Sequence, residues 1–155
     1  MALLAKVITV SDGVAEGVRE DRSGAALEVH LTDAGFDVVG RIVTADGTDA
    51  VAAALRSACQ GFAGLVVTTG GTGFGPRDLT PEGTLAVLDR EAPGLAEAMR
   101  LVSPLGRLSR AAAGTRGECL ILNTPGSTKG CVETLDAVLD VVPHALELLQ
   151  GQRPH

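Results

Sequence analysis

Tryptophan and tyrosine are absent from the 155-residue chain, and phenylalanine occurs only three times. Stacking of bases on aromatic rings is therefore excluded as the main mode of recognition. Bases are outnumbered: 13 Lys and Arg face 19 Asp and Glu, for a net charge of -6. Such a chain lacks the basic footprint of sequence-independent nucleic-acid binding and has no pull toward anionic membranes. A phosphate ligand would have to be held by backbone amides, a few local bases or a metal. No apolar run approaches the ~18 residues of a membrane span. The opening MALLAKVITVSD does not read as a secretory signal, because Lys6 interrupts its apolar stretch. Cys59, Cys119 and Cys131 are odd in number, far apart and without a CxxC pair. That argues against a disulfide framework or a zinc site and for a reduced, cytoplasmic setting.

Familiar fingerprints are missing too. The dinucleotide pattern GxGxxG fails at Pro76, no Gly-Lys pair exists to make a P-loop, and no GxSxG elbow is present. His30, His144 and His155 lack metal-ligand spacing.

What remains is ordinary for a globular protein, with 45% hydrophobic and 21% charged residues. The length suits one domain, read as residues 1–150 with a frayed tail at 151–155. KVITV (6–10), LVVTT (65–69) and CLILN (119–123) are short, continuous and β-branched, the mark of parallel strands buried on both faces. The more interrupted DVVGRIVT (37–44) suits a strand nearer an edge. Apolar residues recur at helical spacing around Leu27–Ala34 and Val51–Ala58, the second capped by Thr48 or Asp49. Thr80-Pro81-Glu82 reads as a capped helix start, and Pro93-Gly94 opens another helix to about Leu101. A last pattern, Val132 to Leu149, is interrupted at Pro143, which predicts a kink or break. Residues 103–116 suit a loop or hairpin. The alternation predicts an α/β fold of three layers: a mostly parallel sheet with helices on both faces.

In such folds ligands bind beyond the carboxyl ends of the strands. There the chain places Ser11-Asp12-Gly13, then Thr69-Gly70-Gly71-Thr72-Gly73-Phe74-Gly75-Pro76-Arg77-Asp78, and finally Asn123-Thr124-Pro125-Gly126-Ser127-Thr128-Lys129. Four glycines between 70 and 75 permit positive φ and a nest of amides for an anion. A plain tight turn, with Asp78 as a capping acid, is the alternative. Lys129 opposes the dipole of the helix it opens, which an anion would relieve; a merely solvated lysine stands equally open. Ser127 or Thr128 suits an N-cap. Asp46 follows the second strand onto the same rim, so Asp46 and Asp78 could together hold Mg²⁺ beside substrate phosphates.

Several of these segments, in this order, resemble the MogA/MoaB-like molybdenum cofactor biosynthesis family. They are ITVSDG (8–13), TTGGTGFGPRDLTPEGT (68–84), PGLAEAMR (93–100), LSRAAAG (108–114) and LILNTPGSTKG (120–130). The resemblance implies a molybdopterin adenylyltransferase that joins AMP from Mg-ATP to the terminal phosphate of molybdopterin and releases pyrophosphate. It also implies a homotrimer and transient delivery to the molybdate-inserting enzyme. The family's two functional aspartates match Asp46 and Asp78. The loops beyond the strands offer Ser11, Asp12, Thr69, Gly70, Gly71, Thr72, Gly73, Asn123, Pro125, Gly126, Ser127 and Lys129 as the residues expected to bind substrate and nucleotide. Where the family commonly has proline this chain has Thr128, and its first loop, DGVAEGVRED, carries extra acid that Arg19, Arg22 or a metal must offset. A non-catalytic carrier of pterin or nucleotide and a nucleotide-hydrolysing relative are the two other readings.

Overall fold

The computed structural model describes residues 2–153. Its centre is a six-stranded sheet in the order β2-β1-β3-β6-β5-β4. Strands β1 (Leu4–Val10), β2 (Asp37–Thr44), β3 (Gly64–Thr69) and β6 (Cys119–Thr124) run parallel, and β4 (Arg90–Glu91) and β5 (Ala113–Arg116) add an antiparallel end. The sheet is therefore mixed. The four expected strands form its parallel part, and β5 with β6 makes the hairpin that residues 103–116 left open. Strand β2 lies at the edge, and its residues alternate between exposed and half-buried. By contrast, β3 and β6 are buried throughout, as continuous apolar runs require.

Side chains alternate across the sheet and feed two separate cores. On one face Ala5, Val7, Leu65, Val67, Leu120 and Leu122 pack under helices α2 (Arg22–Asp33), α5 (Pro93–Arg100), α6 (Thr128–Asp136) and α7 (Val142–Leu149). On the other, Ile8, Val10, Val66 and Ile121 meet Val51, Ala52, Leu55 and Ala58 of α3 (Thr48–Cys59). Near that face lies the short α4 (Thr80–Leu85). Helix α1 (Asp12–Ala15) is a single turn capped by Ser11. The expected break in the last helical pattern lies between α6 and α7, and Pro143 stands in the first turn of α7, where its missing N–H costs nothing.

Two caps differ from expectation. Helix α3 is entered from Gly47, at φ 112°, so neither Thr48 nor Asp49 caps it. Thr80 does not cap α4 either: its hydroxyl donates to the carbonyl of Gly70 at 2.9 Å. Gly151 and Gln152 still bond to carbonyls of α7, and of the expected tail 154 and 155 lie outside the described residues. No helix among the described residues is long and apolar enough to cross a membrane.

Candidate active site

From β1 the chain crosses one way to β2, and from β2 it returns past β1 to β3. The crevice between the carboxyl ends of β1 and β3 is thus the switch point where open α/β sheets bind ligands. A cleft of about 630 Å³ lies there. Of the residues expected at the site, Ser11, Asp46, Thr69, Gly70, Gly71, Asp78, Gly126 and Ser127 line it. Short cross-loop bonds hold this rim together. Ser11 N donates to Thr44 O at 3.0 Å, Gly70 N to Thr124 O at 3.0 Å, and Thr69 Oγ1 to Pro125 O at 2.8 Å.

The glycine loop is built around Asp78. Gly70 and Gly71 have φ of 106° and 69°, which side chains rarely adopt, while Gly73 and Gly75 do not. The latter two leave room instead: a Cβ at Gly75 would stand 2.8 Å from Asp78 Oδ2. The Gly75 amide donates to that oxygen at 2.9 Å. Part of the amide nest expected for an anion is therefore committed within the protein. Gly70 N, Gly75 N and Thr80 N are all spent on internal bonds.

Two arginines brace the two aspartates. Arg77 grips both carboxylate oxygens of Asp12, at 3.1 and 3.0 Å, and donates to the carbonyl of Asp46 at 3.0 Å. Arg110 donates to Gly73 O at 2.8 Å and to Asp78 O at 2.5 Å, with Glu82 balancing its charge at 2.6 Å. Asp12, expected to touch ligand, is occupied: its amide donates to Asp46 Oδ2 at 2.9 Å, and its Oδ1 accepts from Asp46 N at 3.1 Å. The Arg77 guanidinium holds the Asp12 carboxyl below its usual range, and Arg110 does the same for Glu82. Asp46 moves the other way. Burial raises its pKa, and the negative charges of Asp12 and Asp78 add to that against the bond from Asp12 N.

Asn123 is a second correction. It is fully buried, and it donates to the hydroxyls of Thr68 (3.0 Å) and Thr84 (2.9 Å) while accepting from Ala112 N (3.0 Å). With its bonding groups engaged inside the core it cannot meet a ligand. Thr72 is buried, and neither it nor the half-buried Gly73 lines the cleft. Pro125 and Lys129 line a neighbouring cavity of about 340 Å³ that meets the main cleft at Ser127. Lys129 is exposed and lies 3.6 Å from Glu133 one turn on. Ser127 is the N-cap of α6, accepting from Gly130 N at 3.1 Å, and Thr128 is its first helical residue.

Thr9, Arg19, Glu20, Asp21, Arg22 and Ser23 also line the cleft. Arg19 and Arg22 stand where the acid of the first loop demands compensation. Arg110 belongs to the LSRAAAG segment, but its role is not legible there, since it lies 32 residues from Asp78. Only the β5–β6 pairing brings it to the loop.

The family model for a probable molybdopterin binding domain matches residues 6–144. The chain is 38% identical over 152 residues to the molybdopterin adenylyltransferase of Helicobacter pylori, covering 94% of this chain and 86% of that one. It is 37% identical over 164 residues to the molybdopterin adenylyltransferase of Escherichia coli K12, covering 94% and 84%. Among solved structures, the molybdopterin biosynthesis enzyme MoaB of Thermus thermophilus superposes with a TM-score of 0.89 at 45% identity, covering 97% of this chain and 98% of that one. Strand order, rim loops and sequence thus agree, and the chain belongs to the molybdopterin-binding domain family of molybdenum cofactor biosynthesis proteins.

Proposed function

We propose that this chain is a molybdopterin adenylyltransferase. The observation that carries the reading is the convergence of Asp46 and Asp78 on one cleft at the switch point, each braced by an arginine. An oxygen of the terminal phosphate of molybdopterin attacks the α-phosphorus of ATP. The new P–O bond forms as the bond to the bridging oxygen of pyrophosphate breaks. That phosphate is already ionised near neutrality, so no strong base is needed, and the residues act mainly by positioning and charge.

The donor set fits a hard cation. Two carboxylates line the same cleft, and the negative charge of Asp78 makes ionisation of Asp46 harder, a conflict that bound Mg²⁺ removes. Asp46 and Asp78 would hold it, and when bound it supplies charge neutralisation at the transferring phosphates. Arg19 and Arg22 offer local positive charge to two polyanions in an acidic protein. Ser11, Ser127 and Thr128 offer hydroxyls at the same rim. Gly70 and Gly71 keep that wall free of side chains, so a phosphate can approach the backbone closely.

This reading extends to a cytoplasmic homotrimer that hands its product to a molybdate-inserting enzyme. The exposed Leu101, Leu105 and Leu108 support burial of a further surface. Sedimentation velocity tests the trimer. The catalytic reading is tested by calorimetric titration of molybdopterin and then Mg-ATP, with pyrophosphate measured in the same sample. Release that requires both ligands is the expected result. Pterin binding without release would identify a carrier, and ATP consumption without pterin a hydrolase. Asp78→Asn that folds and keeps full activity would overturn the assignment of Asp78.

A further inference from the structure

Two of the three cysteines meet at the far end of the sheet from the cleft. Cys59 is the last residue of α3, and Cys119 is the first of β6. Cys119 is fully buried, and its Sγ donates to the carbonyl of Phe62 at 3.1 Å and lies 4.0 Å from the carbonyl oxygen of Cys59. The two thiols lie close enough to influence each other's ionisation. Cys59 is half-buried and opens on a surface cavity of about 420 Å³, whose walls include Arg56, Arg116 and Asp89. Lys6, held by the carbonyl of Ala58 at 2.9 Å and lying 4.2 Å from the centre of the Phe62 ring, adds a further positive charge.

The members of this pair are unequal. The neighbouring Cys119 thiol draws the Cys59 thiol below its usual range; Arg116 and Lys6 assist, against burial and Asp89. Cys119 is pushed up by the adjacent Cys59 thiol and by burial. One sulfur is therefore reachable and inclined to ionise, while its neighbour keeps its proton out of solvent. Those are the attributes of an attacking and a resolving thiol.

We propose that Cys59 and Cys119 form an oxidisable dithiol that closes to an intramolecular disulfide on reaction with a hydroperoxide. The Cys59 thiolate attacks the peroxide, the O–O bond breaks, and the leaving alkoxide or hydroxide takes a proton to give an alcohol or water. Cys59 is left as the sulfenic acid. The Cys119 sulfur then attacks it, the S–O bond breaks, and water leaves with the Cys119 proton. The sulfur pair loses two electrons and the peroxide gains them. The bridge ties α3, which begins two residues after Asp46 at the cleft, to the centre of the sheet at its opposite end. Cys131 is the internal control: it is buried, its Sγ donates to the carbonyl of Thr128 at 3.2 Å, and burial pushes it up to about 11.

The test is intact-mass analysis and thiol alkylation of the reduced full-length protein after hydrogen peroxide. Expected is a loss of about 2 Da, two hydrogens, with a Cys59–Cys119 linked peptide and a single remaining thiol at Cys131. Cys59→Ser abolishes the loss and Cys131→Ser keeps it. In Cys119→Ala the sulfenic acid accumulates at Cys59, where dimedone traps it. The wild-type measurement stands without any variant. An unchanged mass, a bridge to Cys131 or between chains, or dimedone on Cys119 would each overturn the proposal.

Discussion

Asp12 and Asp46 hold each other: the amide of each donates to the carboxylate of the other, at 2.9 and 3.1 Å. Arg77 closes the arrangement by binding the Asp12 carboxylate and the Asp46 carbonyl. Asp12 thus acts on the cleft through Asp46, and two loops from different strands are tied together.

Asp46→Asn is expected to raise the melting temperature at pH 7 while lowering pyrophosphate release by roughly 10²- to 10³-fold. Burial and like charges raise the pKa of Asp46 in the fold. The folded state therefore binds that proton more tightly than the unfolded chain does. Stability falls as pH rises from the unfolded carboxylate range through the folded pKa, and returns on acidification. The amide keeps an oxygen for the Asp12 N–H but carries no charge. The stability gain should therefore shrink on acidification, as native Asp46 itself takes up its proton. Thermal melts across pH check this.

Arg77→Met reverses the sign. Arg77 lowers the pKa of Asp12. Its contribution is present above the unfolded carboxylate range and is lost as pH falls through the folded pKa. The variant should melt below wild type at neutral pH, and the two should converge in acid.

Arg110→Lys keeps the charge but not the planar fork that reaches Gly73 O, Asp78 O and Glu82 together. A loss of about 10- to 100-fold in kcat/KM is expected from misplacing Asp78. Faster amide exchange across residues 71–79 should accompany it. Unchanged exchange together with unchanged kinetics would show that the brace does not position the loop.

Asn123→Ala should destabilise the fold by about 2–4 kcal/mol in urea titrations, because it strands two buried hydroxyls and an amide. The KM values of the folded fraction should stay unchanged. A raised KM with intact stability would return Asn123 to the ligand.

Gly70→Ala places a methyl group against the carbonyl oxygen of Val10 at a φ of 106°. A cost of at least ~1–3 kcal/mol is expected. Activity should fall with it, because the β1 and β3 ends that form the cleft would be forced apart.

Much of this site was legible from chain order. Strand, loop and helix alternate, and that alone puts the residues after each parallel strand on one rim, which places Ser11, Asp46, Gly70, Asp78 and Ser127 together. The roles of Asp12, Asn123 and Thr80 were not legible, because a polar residue at a strand end or a helix start reads the same whichever partner it finds. Asn123 is spent on Thr68 and Thr84, and Thr80 on Gly70. Those partners are chosen by sheet register and helix placement.

By itself the sequence determined what local physics decides. Continuous β-branched runs had to become buried strands, Pro143 had to interrupt a helix, and glycines at 70 and 71 had to allow a backbone that other residues avoid. Tertiary structure alone decided which charge meets which. Arg77 and Arg110 carry the same group, and one braces Asp46 while the other braces Asp78. Cys59 and Cys119 stand 60 residues apart, yet the Cys119 sulfur lies 4.0 Å from the Cys59 carbonyl oxygen. The reason is range: backbone preference and hydrophobic period act over a few residues, whereas hydrogen bonds and Coulomb forces act on whatever the packed sheet brings within a few ångströms.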